Sequence, residues 1–296
     1  MSSHEFLSIV SNAKRIVSTL AGEYPCRHGS RPDVLEGAAS FIEKEFVNAG
    51  YQVQSLYYDS EGNRVRNLIA EKEGIYPARP VLIIGAHYDT VPDTPGADDN
   101  ASGVAGLLEL ARLLKDQPLK RTVRFVSFPH EEPPYFSTDL MGSRQYAKTL
   151  KKSGEKVLGM ICLEMLGFAG EKYAQHYPAP LMRWWGRYPE YGNYVGLVGN
   201  LRSLGFMSRV RKAMREAAKI GVESLTAPGF ISPMYLSDHS SFWKEGYPAL
   251  MVTDTAFLRN PHYHSPSDGP ETLNYEFLAR VVDALFTTIL ALDNQD

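Results

Sequence analysis

The stretch GAHYDTVPDTPGADDN, residues 85–100, sets His87 two residues before Asp89 and follows them with Asp93, Asp98 and Asp99. Acids crowded beside a histidine, directly after the apolar run PVLIIGA, fit either a solvated loop or a metal site. Further along, PHEEPP carries the adjacent pair Glu131 and Glu132, CLEM carries Glu164, and NPHYHSPSD carries His262, Tyr263 and His264. Taken singly, each has an ordinary explanation: a surface loop around His87, a solvated turn around the glutamate pair. Together they have the composition of a site for divalent cations. Imidazole with carboxylate suits zinc, with cobalt or manganese as substitutes. Two such ions ~3.5–4 Å apart repel, and a carboxylate shared between them is a natural bridge. Adjacent glutamates in a water-poor site also repel, so one tends to stay protonated. A cation that ligates one of them removes the conflict and leaves the other free to act as a general base.

These residues have to be positioned by something, and the apolar patterning supplies it. PVLIIGAH, TVRFVSF, VLGMICLEM and PALMVTDT read as strands, the first apolar enough to be buried on both faces. Helical spacing marks the opening segment through Leu20, the segment after SRPD up to Asn-Ala-Gly at 48–50, ASGVAGLLELARLLK, GSRQYAKTLKK, SDHSSFWKEG and the closing NYEFLARVVDALFTTILALD. YQVQSLYY and RNLIAEK alternate as strands at a sheet edge do. Strands alternating with helices predict an α/β fold, a three-layer α/β/α sandwich around a mixed, mostly parallel central sheet. In such sheets ligands gather beyond the carboxyl ends of the strands. His87, the Asp98–Asp99 pair, Glu131, Glu132, Glu164, Asp254, His262 and His264 each follow a predicted strand.

The 296 residues read as a single catalytic domain over 1–296, with an irregular excursion at about 169–204 rich in Tyr, Trp, Gly and Pro. Trp184, Trp185, Tyr188 and Tyr191 there either pack the excursion onto the body or wall an apolar substrate pocket. A net charge of −3 with no basic block argues against a nucleic-acid partner, and SRVRKAMREAAK reads as a solvated helix face. No run approaches the ~20 apolar residues of a membrane span. The two cysteines, Cys26 and Cys162, suggest neither a disulfide framework nor a cysteine metal site. No signal-peptide pattern opens the chain, so a cytoplasmic location is expected.

With those residues assembled, the sequence resembles the co-catalytic di-zinc aminopeptidase family. That family includes bacterial leucyl aminopeptidases, aminopeptidase Y and glutamate carboxypeptidase II, with glutaminyl cyclase as a single-zinc relative. The resemblance rests on GAHYDT, PGADDNASG, HEEPPYFSTDLMGSRQYA, CLEMLG, SDHSSFWKEGYPA and HYHSPSDGPETL, in that order, and on the lead-in CRHGSRPDVLEGAASFIEKEFVNAGYQV. It implies a zinc-dependent exopeptidase, an aminopeptidase acting on a peptide or aminoacyl substrate. It implies two zinc ions, held by His87, Asp99, Glu132, Glu164 and His264, with Asp99 as the bridge. Asp89 would orient His87, Glu131 would be the general base, and Tyr263 would help hold the oxyanion. The family often has a cis peptide after the bridging aspartate.

The sequence also departs from the pattern. Many members have aspartate where Glu164 stands, and His130 occupies a position more often taken by a small residue; a solvent-facing ring is expected there. His262 competes with His264, and the HSPSD context favours His264. His4, His28 and His176 read as structural. Asp238 and His239 in SDHSS either lie near the pocket or mark a helix start capped by Ser237 or Asp238. Glutaminyl cyclisation or carboxypeptidase action on the same site is the alternative chemistry. A deacylase of related pattern would carry an inserted domain that is absent here, and a non-catalytic binding protein would have lost ligand positions that are all present. Oligomeric state is not legible.

Overall fold

The computed structural model describes residues 2–177, 188–227 and 235–295. Its centre is an eight-stranded sheet. In chain order the strands are β1 (Val53–Ser60), β2 (Asn63–Lys72), β3 (Val81–His87), β4 (Val123–Phe128), β5 (Val157–Glu164), β8 (Tyr194–Asn200), β9 (Gly221–Ala227) and β10 (Ala249–Thr253). Across the sheet they run β1-β2-β4-β3-β5-β10-β8-β9. The four strands β4, β3, β5 and β10 are mutually parallel, and antiparallel pairing enters at β2 on one side and β8 on the other. A separate two-stranded ribbon joins β6 (Gly170–Ala174) to β7 (Tyr191–Gly192).

Among the described residues, helices cover both faces. On one face lie α1 (Ser3–Glu23), α2 (Pro32–Asn48), α3 (Gly103–Leu114), α5 (Leu204–Ala217) and α7 (Tyr275–Asp293), whose apolar stripes bury Ile16, Phe46, Leu107, Val210 and Leu285 in one continuous core. On the other face α4 (Gly142–Ser153) and α6 (His239–Lys244) bury Tyr146, Leu150 and Phe242 against Ile83, Phe128, Met160 and Met251. This is the three-layer α/β/α arrangement that the alternation of strands and helices predicts. The central strands carry apolar residues toward both helical layers, which is why β3 is buried at every position.

Part of the 169–204 stretch is not irregular. Residues 194–200 form β8, paired with both β10 and β9 in the main sheet. Gly196 and Gly199 dilute the apolar signal of YVGLVGN, and GVESLTA, which forms β9, has too little hydrophobicity to announce itself. Trp184 and Trp185 lie outside the described residues. No helix among the described residues is long and apolar enough to cross a membrane.

Candidate metal centre

Four parallel strands end on the same edge, and that edge collects the acids and histidines. His87 is the last residue of β3 and Glu164 the last of β5. Glu131 and Glu132 follow β4 after a Pro-His step. Asp99 sits in the turn before α3, and its peptide bond to Asn100 is cis. That turn is pinned from below: Asn100 Nδ2 donates to Leu163 O at 2.9 Å while its Oδ1 accepts from Gly103 N and Met165 N. Asp268 accepts the backbone amides of Asp98 and Asp99 at 2.9–3.2 Å. The aspartate is thus fixed to the sheet, to α3 and to the loop that carries His264.

Asp99 lies between two histidines. Its Oδ1 is 3.4 Å from Nε2 of His87, and its Oδ2 is 3.2 Å from Nε2 of His264. Glu164 Oε1 is 3.3 Å from His87 Nε2, and Glu132 Oε1 is 3.3 Å from His264 Nε2. His87, Asp99 and Glu164 therefore form one group of converging ligand atoms, and Asp99, Glu132 and His264 form a second that shares the aspartate. A charge-assisted hydrogen bond would draw such pairs to about 2.7–2.9 Å. The observed separations match instead the ~3.3 Å edge of a tetrahedron whose centre lies ~2.0 Å from each ligand, the bond length of zinc. Asp99 Oδ1 is buried and has no hydrogen-bond partner, as expected for an oxygen meant for a cation. The residues present fit zinc.

Glu131 reaches to 3.9 Å from His87 Nε2 and completes a third grouping with His87 and Glu132. Behind His87, Nδ1 lies 3.2 Å from the Asp89 carbonyl and 3.4 Å from Asp89 Oδ1. With its Nδ1–H directed at Asp89, a neutral His87 would present the Nε2 lone pair to a cation held with Asp99 and Glu164. The Asp89 carboxylate also accepts the amides of Glu131 and Glu132 at 3.1 and 3.0 Å, so one buried side chain orients both the histidine and the glutamate pair. The Tyr263 ring stacks on His264 with centroids 3.8 Å apart.

The crowding shifts the proton affinity of several of these groups. Burial would lower His87, but the charges of Glu164 and Glu131 and the neighbouring carboxylates of Asp89 and Asp99 raise it well above the usual histidine range. His264 is pushed up to about 10, its burial outweighed by Asp99 and Glu132. Burial, then the neighbouring carboxylates, push Glu131 well up and Glu132 up to about 8. Asp99 moves the other way: its burial is overcome by the two imidazoles that flank its carboxylate. Burial also pushes Tyr263 up, reinforced by Asp99 and the glutamates.

Several residues sit elsewhere than the sequence suggests. His130 is 1% exposed rather than solvent-facing; its ring stacks on Tyr135 at 3.8 Å and meets Tyr58 edge-on. His262 is turned away, with Nδ1 2.8 Å from Ser267 Oγ, so His264 alone of the two faces Asp99. Neither Ser237 nor Asp238 caps α6 with its side chain. Ser237 instead donates to Glu164 Oε2 at 2.5 Å, and Asp238 is buried behind the site, where burial pushes it up to about 7. Asp254 accepts the amides of Phe168 and Ala256 and supports the loop rather than facing the histidines.

Two residues left out of the site by sequence reasoning belong to its frame. Arg27 is fully buried and donates to the carbonyls of Tyr88, Pro95, Gly96 and Leu20, tying the loop after β3 to the turn before Asp99. His28 Nε2 lies 2.9 Å from the carbonyl of Pro133, the residue after the glutamate pair. The adjacency of Arg27 and His28 is the sequence signal, but their partners lie 61 or more residues away in the chain for three of those four Arg27 bonds.

Residues 67–289 match the model of peptidase family M28. The chain belongs to peptidase family M28. That membership places it among hydrolases of peptide bonds, and zinc is the metal of neighbours on this fold, including a zinc aminopeptidase from Bacillus subtilis. The M28 chain is 41% identical to the uncharacterized protein YfbL of Escherichia coli over 89% of its own length and 82% of YfbL's. It is 29% identical to aminopeptidase YwaD of Bacillus subtilis over 71% of its length but spans only 40% of YwaD. The fold is shared with the LapA aminopeptidase of Legionella pneumophila, at a TM-score of 0.76 and 19% identity, covering 99% of this chain and 74% of that one.

Proposed function

We propose that the chain is a zinc aminopeptidase whose site holds two ions. His87, Asp99 and Glu164 would hold one, and Asp99, Glu132 and His264 the other. The observation that carries this reading is the carboxylate of Asp99, which offers one oxygen to each histidine at a zinc-like spacing. When bound, zinc supplies Lewis acidity and a water acidified toward neutral pH.

The rest of the reaction falls to the chain's own groups. Glu131 is buried at the mouth of the site with its affinity for protons raised. It would take a proton from the attacking water and pass it to the leaving amine as the peptide bond breaks. Tyr263 would direct its hydroxyl at the oxyanion of the tetrahedral intermediate. The carboxylates around the site would attract the α-ammonium group of a substrate's free N-terminus. Among the described residues lining the adjoining pocket there is no Lys or Arg to receive a substrate carboxylate, which favours the amino end of a peptide over the carboxyl end. The domain would be a single catalytic unit.

The test is incubation of the zinc-loaded protein with leucinamide, glutaminamide and an N-acetylated peptide, with and without a chelator. The reading expects ammonia from leucinamide, no cleavage of the blocked peptide, and loss of the ammonia signal with the chelator. Ring closure of glutaminamide without hydrolysis of leucinamide would overturn it in favour of a cyclase.

A further inference from the structure

The pocket beside the candidate centre is floored by the sheet itself. On that face α4 and α6 pack over β2, β5 and β10. The ladder register sets Glu164 of β5 opposite Thr253 of β10, Thr253 opposite Gly196 of β8, and Gly196 opposite Glu223 of β9. Residues paired across a sheet point to one face, so these four form a row, and all four line the pocket. Three strand spacings put Glu223 roughly 14 Å along the floor from Glu164. Gly196 brings no side chain to the middle of the row, which leaves a trough between the metal-ligand end and Glu223.

The far end has a distinct chemistry. Tyr177, Tyr188 and Tyr194 line it. The Tyr177 and Tyr188 rings lie 5.5 Å apart, the Tyr177 and Tyr194 hydroxyls are 3.1 Å apart, and the Tyr188 hydroxyl donates to Ser224 O. Glu223 Oε2 is 3.2 Å from Arg215 Nη2, which comes from α5 beyond the sheet edge and also donates Nε to Val222 O. Glu223 Oε1 has no hydrogen-bond partner among the described residues. The Arg259 guanidinium already lies 4.7 Å from the Tyr194 ring centroid, so the Tyr177 and Tyr188 rings, beside a carboxylate with an open oxygen, make the receptor for an incoming organic cation. When the three ligand carboxylates are compensated by bound ions, Glu223 is the charge a side chain meets at the end of the trough.

We propose that this trough receives the side chain of the substrate's first residue and selects a long apolar stem ending in a cation, that of lysine or arginine. Glu223, Tyr177 and Tyr188 take the charged head, while Tyr194 is held by Arg259. The proposal rests on the aminopeptidase reading and makes it specific. Because Glu223 is partly exposed and shared with Arg215, its contribution to selectivity is about tenfold, the scale of one cation–π contact or a screened ion pair.

Two measurements test it. The first is kcat/KM of the zinc-loaded protein on lysyl, arginyl, leucyl and glutamyl 4-nitroanilides, for the native chain, Glu223→Gln and Arg215→Gln. Lysyl and arginyl substrates are expected to exceed leucyl, with glutamyl last. Glu223→Gln should cut the lysyl and arginyl values about tenfold relative to the leucyl value. Arg215→Gln, which frees Oε2, should widen the preference for cations. Circular dichroism and zinc content equal to those of the native chain show that the variants are folded. The second is calorimetric binding of L-lysinol and L-norleucinol, which share a four-carbon stem and have no scissile bond. Lysinol should bind more tightly to the native chain and no more tightly than norleucinol to Glu223→Gln. Equal binding of the two alcohols by the native chain, or a lysinol preference that survives Glu223→Gln, overturns the proposal. Absence of turnover on every anilide would contradict the aminopeptidase reading alone, because the alcohols would still report on the trough.

Discussion

Ser237 donates its hydroxyl to Oε2 of Glu164 at 2.5 Å and so leaves Oε1 turned toward His87. Glutamate has one more methylene than aspartate, and the extra rotor has to be fixed if a single oxygen is to face the ion. Ser237 is fully buried, with Cys162 Sγ 3.2 Å away on its other side. Ser237→Ala is expected to fold normally and to lose roughly 10- to 100-fold in zinc affinity, the usual effect of removing a group that orients a metal ligand. Zinc titration against a competing chelator measures this. Affinity equal to the native value would mean that Glu164 needs no such support.

Glu131→Gln keeps the shape of the side chain and removes its capacity to carry a proton. The variant should retain its zinc and lose about 10²- to 10⁴-fold in kcat, the range for a general acid–base group. Metal content by atomic absorption and turnover of leucinamide are read on the same sample. Native turnover would remove Glu131 from its assigned role.

Arg27→Met withdraws a buried cation from carbonyls on the loops that precede and follow the first histidine's aspartate partners. Carbonyls left without a donor in the interior make this change costly, on the order of 3–5 kcal/mol. The expected result is a lower urea midpoint for the metal-free protein with an unchanged slope. A midpoint within error of the native one would show that water or a neighbour takes over the carbonyls.

The metal-free protein should be less stable at pH 8 than at pH 5. Burial raises Asp254 to about 6 and Asp268 and Asp238 to about 7. The folded state thus holds protons that the unfolded chain gives up above ~4, and stability falls as pH climbs through that window. The two histidines act in the same direction. Their raised values add stability that is fully present below the ordinary histidine pKa and is lost as pH rises toward the folded value, about 10 for His264. Asp89 and Asp99, both lowered, are ionised throughout this range and contribute no slope. Thermal midpoints at the two pH values, with a chelator present, test the sign.

The parts of the molecule legible in the sequence are those with strong local patterns. The apolar runs of β3, β4, β5 and β10 stand out because these strands are buried on both faces, and His87 and Glu164 are the last residues of β3 and β5. Tyr194–Asn200 and Gly221–Ala227 are hidden because glycines and polar residues interrupt their apolar runs: Gly196 and Glu223 line the pocket, while Gly199 makes room for Met207. The environment of His130 depends on Tyr58, far away in sequence, and could not be read from its neighbours. The same holds for Arg27 and Ser237, whose importance lies in partners 61 and 73 residues distant. Local spacing reveals which residues can ligate; only the fold reveals which residues hold them still.

The central claim is a pair of zinc ions joined by one aspartate, and anomalous diffraction at the zinc edge from crystals of the zinc-loaded protein tests it most directly. Two peaks are expected, ~3.5–4 Å apart, one against His87 and Glu164, the other against Glu132 and His264, with an Asp99 oxygen on each. A single peak, or two peaks that Asp99 does not join, would contradict it.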